Sequence, residues 1–168
     1  MPIFAPTVIF KRASAITPDY LKAHGITALV LDVDNTLTGH GSQELPEDIA
    51  AWLETMRKEG IQMMIASNNM PKRVAPFAEK IGLPFRAFCC KPSPFGLMRA
   101  RKAFDTEKKN MALVGDQIFT DAIGANLYGI PMLLVQPMYE DTKPTIRLKR
   151  WLEKPFLKRY YRKGGKLL

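Results

Sequence analysis

The chain has 168 residues, 46% of them hydrophobic, the size and composition of one ordinary domain with a true core. No apolar run approaches the ~20 residues of a membrane span. The N-terminal apolar patch is short and precedes its basic residues, which argues against a signal peptide, and the adjacent Cys89 and Cys90 frame neither a disulfide scaffold nor a CxxC metal site. Free thiols without an export signal place the expectation in a reducing cytoplasm.

Charge divides the chain in two. Residues 1–142 hold 15 Lys/Arg against 15 Asp/Glu, whereas residues 143–168 hold 10 basic residues and one acid, Glu153, and so carry the whole net charge of +9. The expected organisation is a neutral globular body over 1–142 and a basic C-terminal extension over 143–168 that meets something anionic.

In chain order, Thr17-Pro18-Asp19 is a helix start, with a capping hydroxyl and Pro at the first position, and Gly25 is its stop. Residues 26–33 are a buried-strand run. A second helix opens at Leu45-Pro46-Glu47, repeats Ile49, Trp52, Leu53 and Met56 on one face, and ends at Gly60. Residues 61–66 predict a second strand, with Met63 and Met64 in the core. Pro71 opens a third helix with Val74, Phe77, Ala78 and Ile81 on one face. A third strand is expected over 85–89, closed by Lys91-Pro92-Ser93-Pro94, a helix around Leu97, Ala100 and Phe104, and a fourth strand over 111–114. A helix over 118–128 and a fifth strand over 131–135 complete the pattern. Such alternation predicts an α/β fold with a central parallel sheet of about five strands and helices on both faces.

Ligands on such sheets bind at the carboxyl ends of the strands. Those ends carry Asp32 and Asp34, Ser67 and Asn68, Lys91, and Asp116 and Asp121. Clustered acids raise one another's pKa unless a cation offsets the repulsion. Mg2+ accepts such oxygen ligands and commonly completes its shell with a substrate phosphate. Lys91 adds an ammonium, and Ser67 and Asn68 add neutral donors; a phosphoryl group satisfies all of these. An Asp can attack phosphorus to form an aspartyl-phosphate, and an acid two residues on can protonate the leaving oxygen and then activate water.

DVDNTLT, SNN, the lysine of KPSP and GDQIFTD together resemble, in order, the four motifs of the haloacid dehalogenase (HAD) phosphatase superfamily. The likeness spans roughly residues 26–135. The finer pattern is similar to the YqeG-type branch of subfamily IIIA, related to phosphatidylglycerophosphate phosphatases. The resemblance implies a HAD-like Rossmannoid three-layer sandwich and an Mg2+-dependent phosphatase. It makes Asp32 the nucleophile and a metal ligand. Asp34 becomes the general acid/base, lending its carbonyl to the metal. Ser67 and Asn68 bind the phosphoryl group, Lys91 orients Asp32 and neutralises phosphate charge, Asp116 is a direct metal ligand, and Asp121 is an outer or water-mediated one.

Taken singly, each group has a plainer reading: an Asx turn at Asp32–Asn35, a helix cap at Ser67–Asn69, a surface lysine at 91, loop acids at 116 and 121. His24 and His40 read as solvated, and Cys89 and Cys90 as the end of a buried strand. The short loop over 38–44 leaves no room for a sizeable cap, so the site is expected to be open. In the extension, Leu148, Trp151, Leu152, Phe156 and Tyr160 follow helical spacing among Lys and Arg, with a kink expected at Pro155. This segment suits an anionic membrane surface, packing on the body, or RNA. The favoured substrate is phosphatidylglycerophosphate, its lipid body remaining in the bilayer. The alternatives are a soluble phosphorylated metabolite, or a non-enzymatic module binding RNA or a ribosome-assembly partner.

Overall fold

The structure is a computed structural model that describes residues 2–141 and 143–168. The strands are β1 (Val8–Phe10), β2 (Ala28–Leu31), β3 (Gln62–Ala66), β4 (Phe85–Arg86), β5 (Met111–Gly115) and β6 (Met132–Val135). The helices are α1 (Pro18–Ala23), α2 (Glu47–Lys58), α3 (Pro71–Lys80), α4 (Phe95–Phe104), α5 (Ile123–Tyr128) and α6 (Pro144–Arg162). All strand pairs are parallel, in the order β1-β6-β5-β2-β3-β4.

Period-2 alternation divides the core between the faces of the sheet. Leu29 and Leu31 join Ile65 and Val114 under the α2 and α3 residues Ile49, Trp52, Leu53, Met56, Val74 and Phe77. Ala28 and Val30 join Met64 and Leu113 under the α4 and α5 residues Leu97, Ala100, Phe104 and Ala125. The helix starts follow local chemistry: Thr17 Oγ1 accepts the Tyr20 N–H at 3.1 Å, with Pro18 at the first helical position. Residues 32–46 join β2 to α2 as a loop, and α3 alone joins β3 to β4, so neither segment carries a cap domain.

The fold departs from expectation in three places. A sixth strand, β1, pairs with β6 at one edge. Its three residues are too few to carry a periodic signal. The extreme C-terminus covers its outer side: the Lys11 N–H donates to the Leu168 carbonyl and the Leu168 N–H to the Ile9 carbonyl, which hides an otherwise open edge. The strand expected over 85–89 stops at Arg86. Beyond it, Phe88 and Cys90 adopt left-handed φ values of 53° and 52°, because residues 88–91 bond to the Ser67–Asn69 loop instead of a strand: Phe88 N–H to Asn69 O, Cys89 N–H to Ser67 O.

The third departure is in the C-terminal segment. The helix α6 spans Pro144–Arg162 with Pro155 inside it. Its expected apolar face is divided: Phe156, Leu157 and Tyr160 pack against the α4–α5 side of the core, while Leu148, Trp151 and Leu152 are exposed. Phe156 also stacks on Phe4, with ring centroids 4.7 Å apart. Among the described residues, no helix is long and apolar enough to cross a membrane.

Candidate active site

The strand order runs outward in both directions from the adjacent pair β2 and β5, and such a switch point opens a crevice at the strand ends. Asp32 follows β2 directly, its N–H donating to Val114 O at 2.9 Å. Asp116 follows β5. The next turn, Ile118–Ala122, is a wide π-type turn that brings Asp121 back toward the sheet. Gly115 makes this approach possible: a Cβ there would lie 2.5 Å from Asp121 Cγ.

Lys91 closes the group from the β4 side. Its Nζ donates to Asp32 Oδ1 at 2.5 Å and to Asp121 Oδ1 at 2.7 Å, and its side chain is only 4% exposed. Asn68 fixes the lysine main chain, accepting the Lys91 N–H at 2.6 Å and donating to the Lys91 carbonyl at 3.0 Å. The Asn68 side-chain amide is therefore engaged with Lys91. Ser67 is buried, and its Oγ accepts the Asn69 N–H at 3.2 Å.

One carboxylate oxygen from each of Asp32, Asp116 and Asp121 lies within 4.8 Å of the others, a grouping that could hold a metal ion. Asp116 Oδ1 is buried and has no hydrogen-bond partner. A buried, unpaired carboxylate oxygen is costly, and a hard cation is the ligand that this donor set fits. The Asp34 side chain lies outside the grouping. It accepts from Gly41 N–H and Arg73 Nη2, each at 2.8 Å, and from the Asn69 amide. Any part it plays at a metal falls to its main chain.

The electrostatics follow from burial. Removal from water raises the Asp32 pKa to about 6, Lys91 working against that rise and Asp121 with it. Burial alone would lower the Lys91 ammonium, but Asp121 and Asp32 outweigh it and hold it above the ordinary lysine value. Asp116 is also raised well above the usual range by burial, with Arg150 opposing.

Five residues at the site escaped sequence reasoning. Arg73 and Asn69 hold Asp34; Asn69 stood in the SNN triplet, while Arg73 resembles any first-turn helix residue. Arg150, from α6, pairs with Asp116 Oδ2, with Asp141 at 2.9 Å and with Glu153 at 3.2 Å. Glu153, the lone acid of the basic segment, is buried and accepts the Ile118 and Phe119 N–H groups at 2.7 and 3.3 Å; its solitary sign among ten cations was a readable signal. Asp141 accepts from Asn35 at 2.8 Å. Of the histidines, His40 is exposed, and His24 stacks on Tyr20 at a centroid distance of 4.1 Å. Cys89 is buried against Gly96 and Cys90 is exposed.

Residues 18–129 match the family of haloacid dehalogenase-like hydrolases. Over 161 residues the chain is 32% identical to "Probable phosphatase YqeG" of Bacillus subtilis, covering 96% of this chain and 94% of that protein. It is 28% identical over 171 residues to "Phosphatidylglycerophosphate phosphatase 1, chloroplastic/mitochondrial" of Arabidopsis thaliana, covering 49% of that longer protein. A crystal structure of an uncharacterised protein from Listeria monocytogenes shares the fold at 19% identity with a TM-score of 0.57, over 71% of this chain and 85% of that one.

Proposed function

This chain belongs to the haloacid dehalogenase-like hydrolase family and is a phosphatase; from that premise we propose that it is an Mg2+-dependent phosphomonoesterase whose substrate is phosphatidylglycerophosphate at an anionic membrane. The observation that carries the chemistry is the meeting of Asp32, Asp116 and Asp121 around one point, with Lys91 on Asp32.

Asp32, Asp116 and Asp121 would hold the cation, and the Asp34 main-chain carbonyl would help. When bound, Mg2+ neutralises charge on the acids and on the phosphoryl oxygens. The Asp32 carboxylate attacks phosphorus, the bond to the leaving oxygen breaks, and Asp34 gives that oxygen its proton. Asp34 then takes a proton from the water that attacks the aspartyl-phosphate, releasing inorganic phosphate and regenerating Asp32. Ser67 and the main chain at Asn68 bind the phosphoryl oxygens. Lys91 holds Asp32 in its attacking orientation and balances charge in the transition state.

The lipid reading draws on three supports. The relative from Arabidopsis bears that substrate in its name. The mouth lacks a cap, so a headgroup can enter while its chains stay in a bilayer. Exposed apolar side chains stand at this edge of the sheet: Met70 and Phe88 follow β3 and β4, Phe95 opens α4, and Tyr139 follows β6 and lines one pocket with Trp151 of α6, where Leu148 is also exposed. Exposed Arg147, Lys149, Lys154 and Lys158 supply the charge that anionic headgroups attract.

The test is release of inorganic phosphate from a generic aryl phosphate, from soluble phosphate esters and from phosphatidylglycerophosphate in anionic vesicles. Mg2+-dependent release abolished by Asp32→Asn supports the chemistry, and a higher kcat/KM on the vesicles supports the substrate. Equal release by Asp32→Asn overturns the mechanism. Faster turnover of a soluble ester than of the lipid overturns the substrate while the phosphatase stands.

A further inference from the structure

Helix α6 reaches the acid cluster through one side chain. Arg150 Nη2 pairs with Asp116 Oδ2, and its Nη1 donates to the Asp116 main-chain carbonyl at 2.5 Å. The opposite oxygen, Asp116 Oδ1, is buried and unpartnered. We propose that Arg150 is a positioning residue for the cation site: its fork fixes Asp116 by Oδ2 and the main chain, leaving Oδ1 as the oxygen offered to a divalent cation shared with Asp32 and Asp121. This inference rests on the cation reading given above.

Coulomb's law applied to Arg150 alone gives the opposite sign, since removing a guanidinium beside a cation removes repulsion. The neighbours decide against that reading. The same guanidinium is bonded to Asp141 at 2.9 Å and Glu153 at 3.2 Å, so its charge is already matched by carboxylates that are not in the metal grouping. What remains is geometry. Those two acids are themselves tied down, Asp141 by the Asn35 amide and Glu153 by the Ile118 and Phe119 N–H groups. Arg150 is thus held by two anchored acids and aims Asp116 as a rigid part. A planar, forked cation can do this where an ammonium cannot. Outer partners of metal-ligating side chains commonly contribute 10–100-fold to affinity.

The arrangement also means that the basic C-terminal segment is part of the site. Asp116 stands at the end of a strand, and the group that orients it arrives 34 residues later in the chain.

The experiment is calorimetric titration of Mg2+ into the full chain, as wild type and as Arg150→Met, Arg150→Lys and Phe156→Ala, with thermal unfolding of each in the absence of the ion. Phe156→Ala loosens α6 on the body without touching Asp116. The expected result is Mg2+ binding weakened roughly 10–100-fold in Arg150→Met, weakened at least about tenfold in Arg150→Lys despite its retained charge, and within about twofold of wild type in Phe156→Ala even though its melting temperature falls. If Arg150→Met does not fold, Arg150→Lys carries the test. Binding as tight as wild type, or tighter, in either Arg150 variant overturns the proposal. An equal loss in Phe156→Ala overturns it too, because general docking of α6 would then explain the effect. If wild type binds no Mg2+, the cation reading itself fails and takes this inference with it.

Discussion

Lys91 Nζ and Asp32 Oδ1 lie 2.5 Å apart, although 59 residues separate them in the chain. The same ammonium touches Asp121 at 2.7 Å, so one buried cation serves two buried carboxylates. Replacing it by an apolar side chain of similar length takes the ammonium from both acids, leaving Asp121 only the Gln117 N–H and the Thr120 hydroxyl. Lys91→Met is expected to lose about 3–5 kcal/mol of stability, together with phosphatase activity. Urea unfolding without divalent ions measures the first effect, and addition of Mg2+ should restore part of the lost stability, because a cation again faces the acids. An unchanged urea midpoint would show that this ion pair is not formed in solution.

A pH dependence follows from Asp32. Its folded-state pKa is raised to about 6, mainly by burial, above the unfolded carboxylate value. Between those two values the folded chain binds more protons, so stability falls as pH rises. Asp116 is raised as well and acts in the same direction, while Lys91, held above its ordinary value, stays protonated throughout this window. In EDTA, the wild type is expected to lose stability from this group between about pH 4 and 6. Asp32→Asn, neutral at every pH, should show a flatter profile. Stability profiles of equal slope in the two proteins would count against the raised value.

Gly115 is a position where a methyl group has no space. Its Cβ would come within 2.5 Å of Asp121 Cγ and 2.7 Å of Oδ2. Gly115→Ala is expected to cost about 1–3 kcal/mol through overpacking, and to weaken Mg2+ binding by displacing Asp121 from its grouping with Asp32 and Asp116. Calorimetry of Gly115→Ala should show both. A variant that keeps wild-type affinity would mean that Asp121 takes no part in holding the ion.

The membrane-facing reading is tested on side chains that do not support the fold. Leu148 is 58% exposed and Trp151 63% exposed. The double variant Leu148→Ser, Trp151→Ser should retain stability to within about 0.5 kcal/mol and lose affinity for anionic vesicles in a sedimentation assay. Raised salt should weaken binding of the wild type, because basic residues near headgroups contribute ~1 kcal/mol each before screening. Deleting residues 143–168 is a poorer test, since Phe156, Leu157 and Tyr160 lie against the core and Glu153 accepts two main-chain N–H groups. Unaltered vesicle binding by the double variant, or equal retention on RNA, would redirect the search for what the basic segment meets.

The sequence by itself determined the alternating α/β order and which strand ends carry acids, because hydrophobic period and helix caps are local properties written every few residues. The motif resemblance also pointed to Lys91, which the structure brings onto Asp32 and Asp121 although alone it reads as a surface lysine. What only the tertiary structure decided lies at long range. Arg150 could not be told from the other arginines of a basic helix, and Arg73 not from any first-turn cation, because a salt bridge depends on where two distant segments meet. The three-residue strand β1 and the early end of β4 were likewise invisible: edge pairing and main-chain bonds to the Ser67–Asn69 loop decide them, and neither leaves a periodic trace. The unequal fate of the apolar residues on α6 has the same cause, since a helix can show which of its faces is greasy but not how much of that face another part of the molecule will cover.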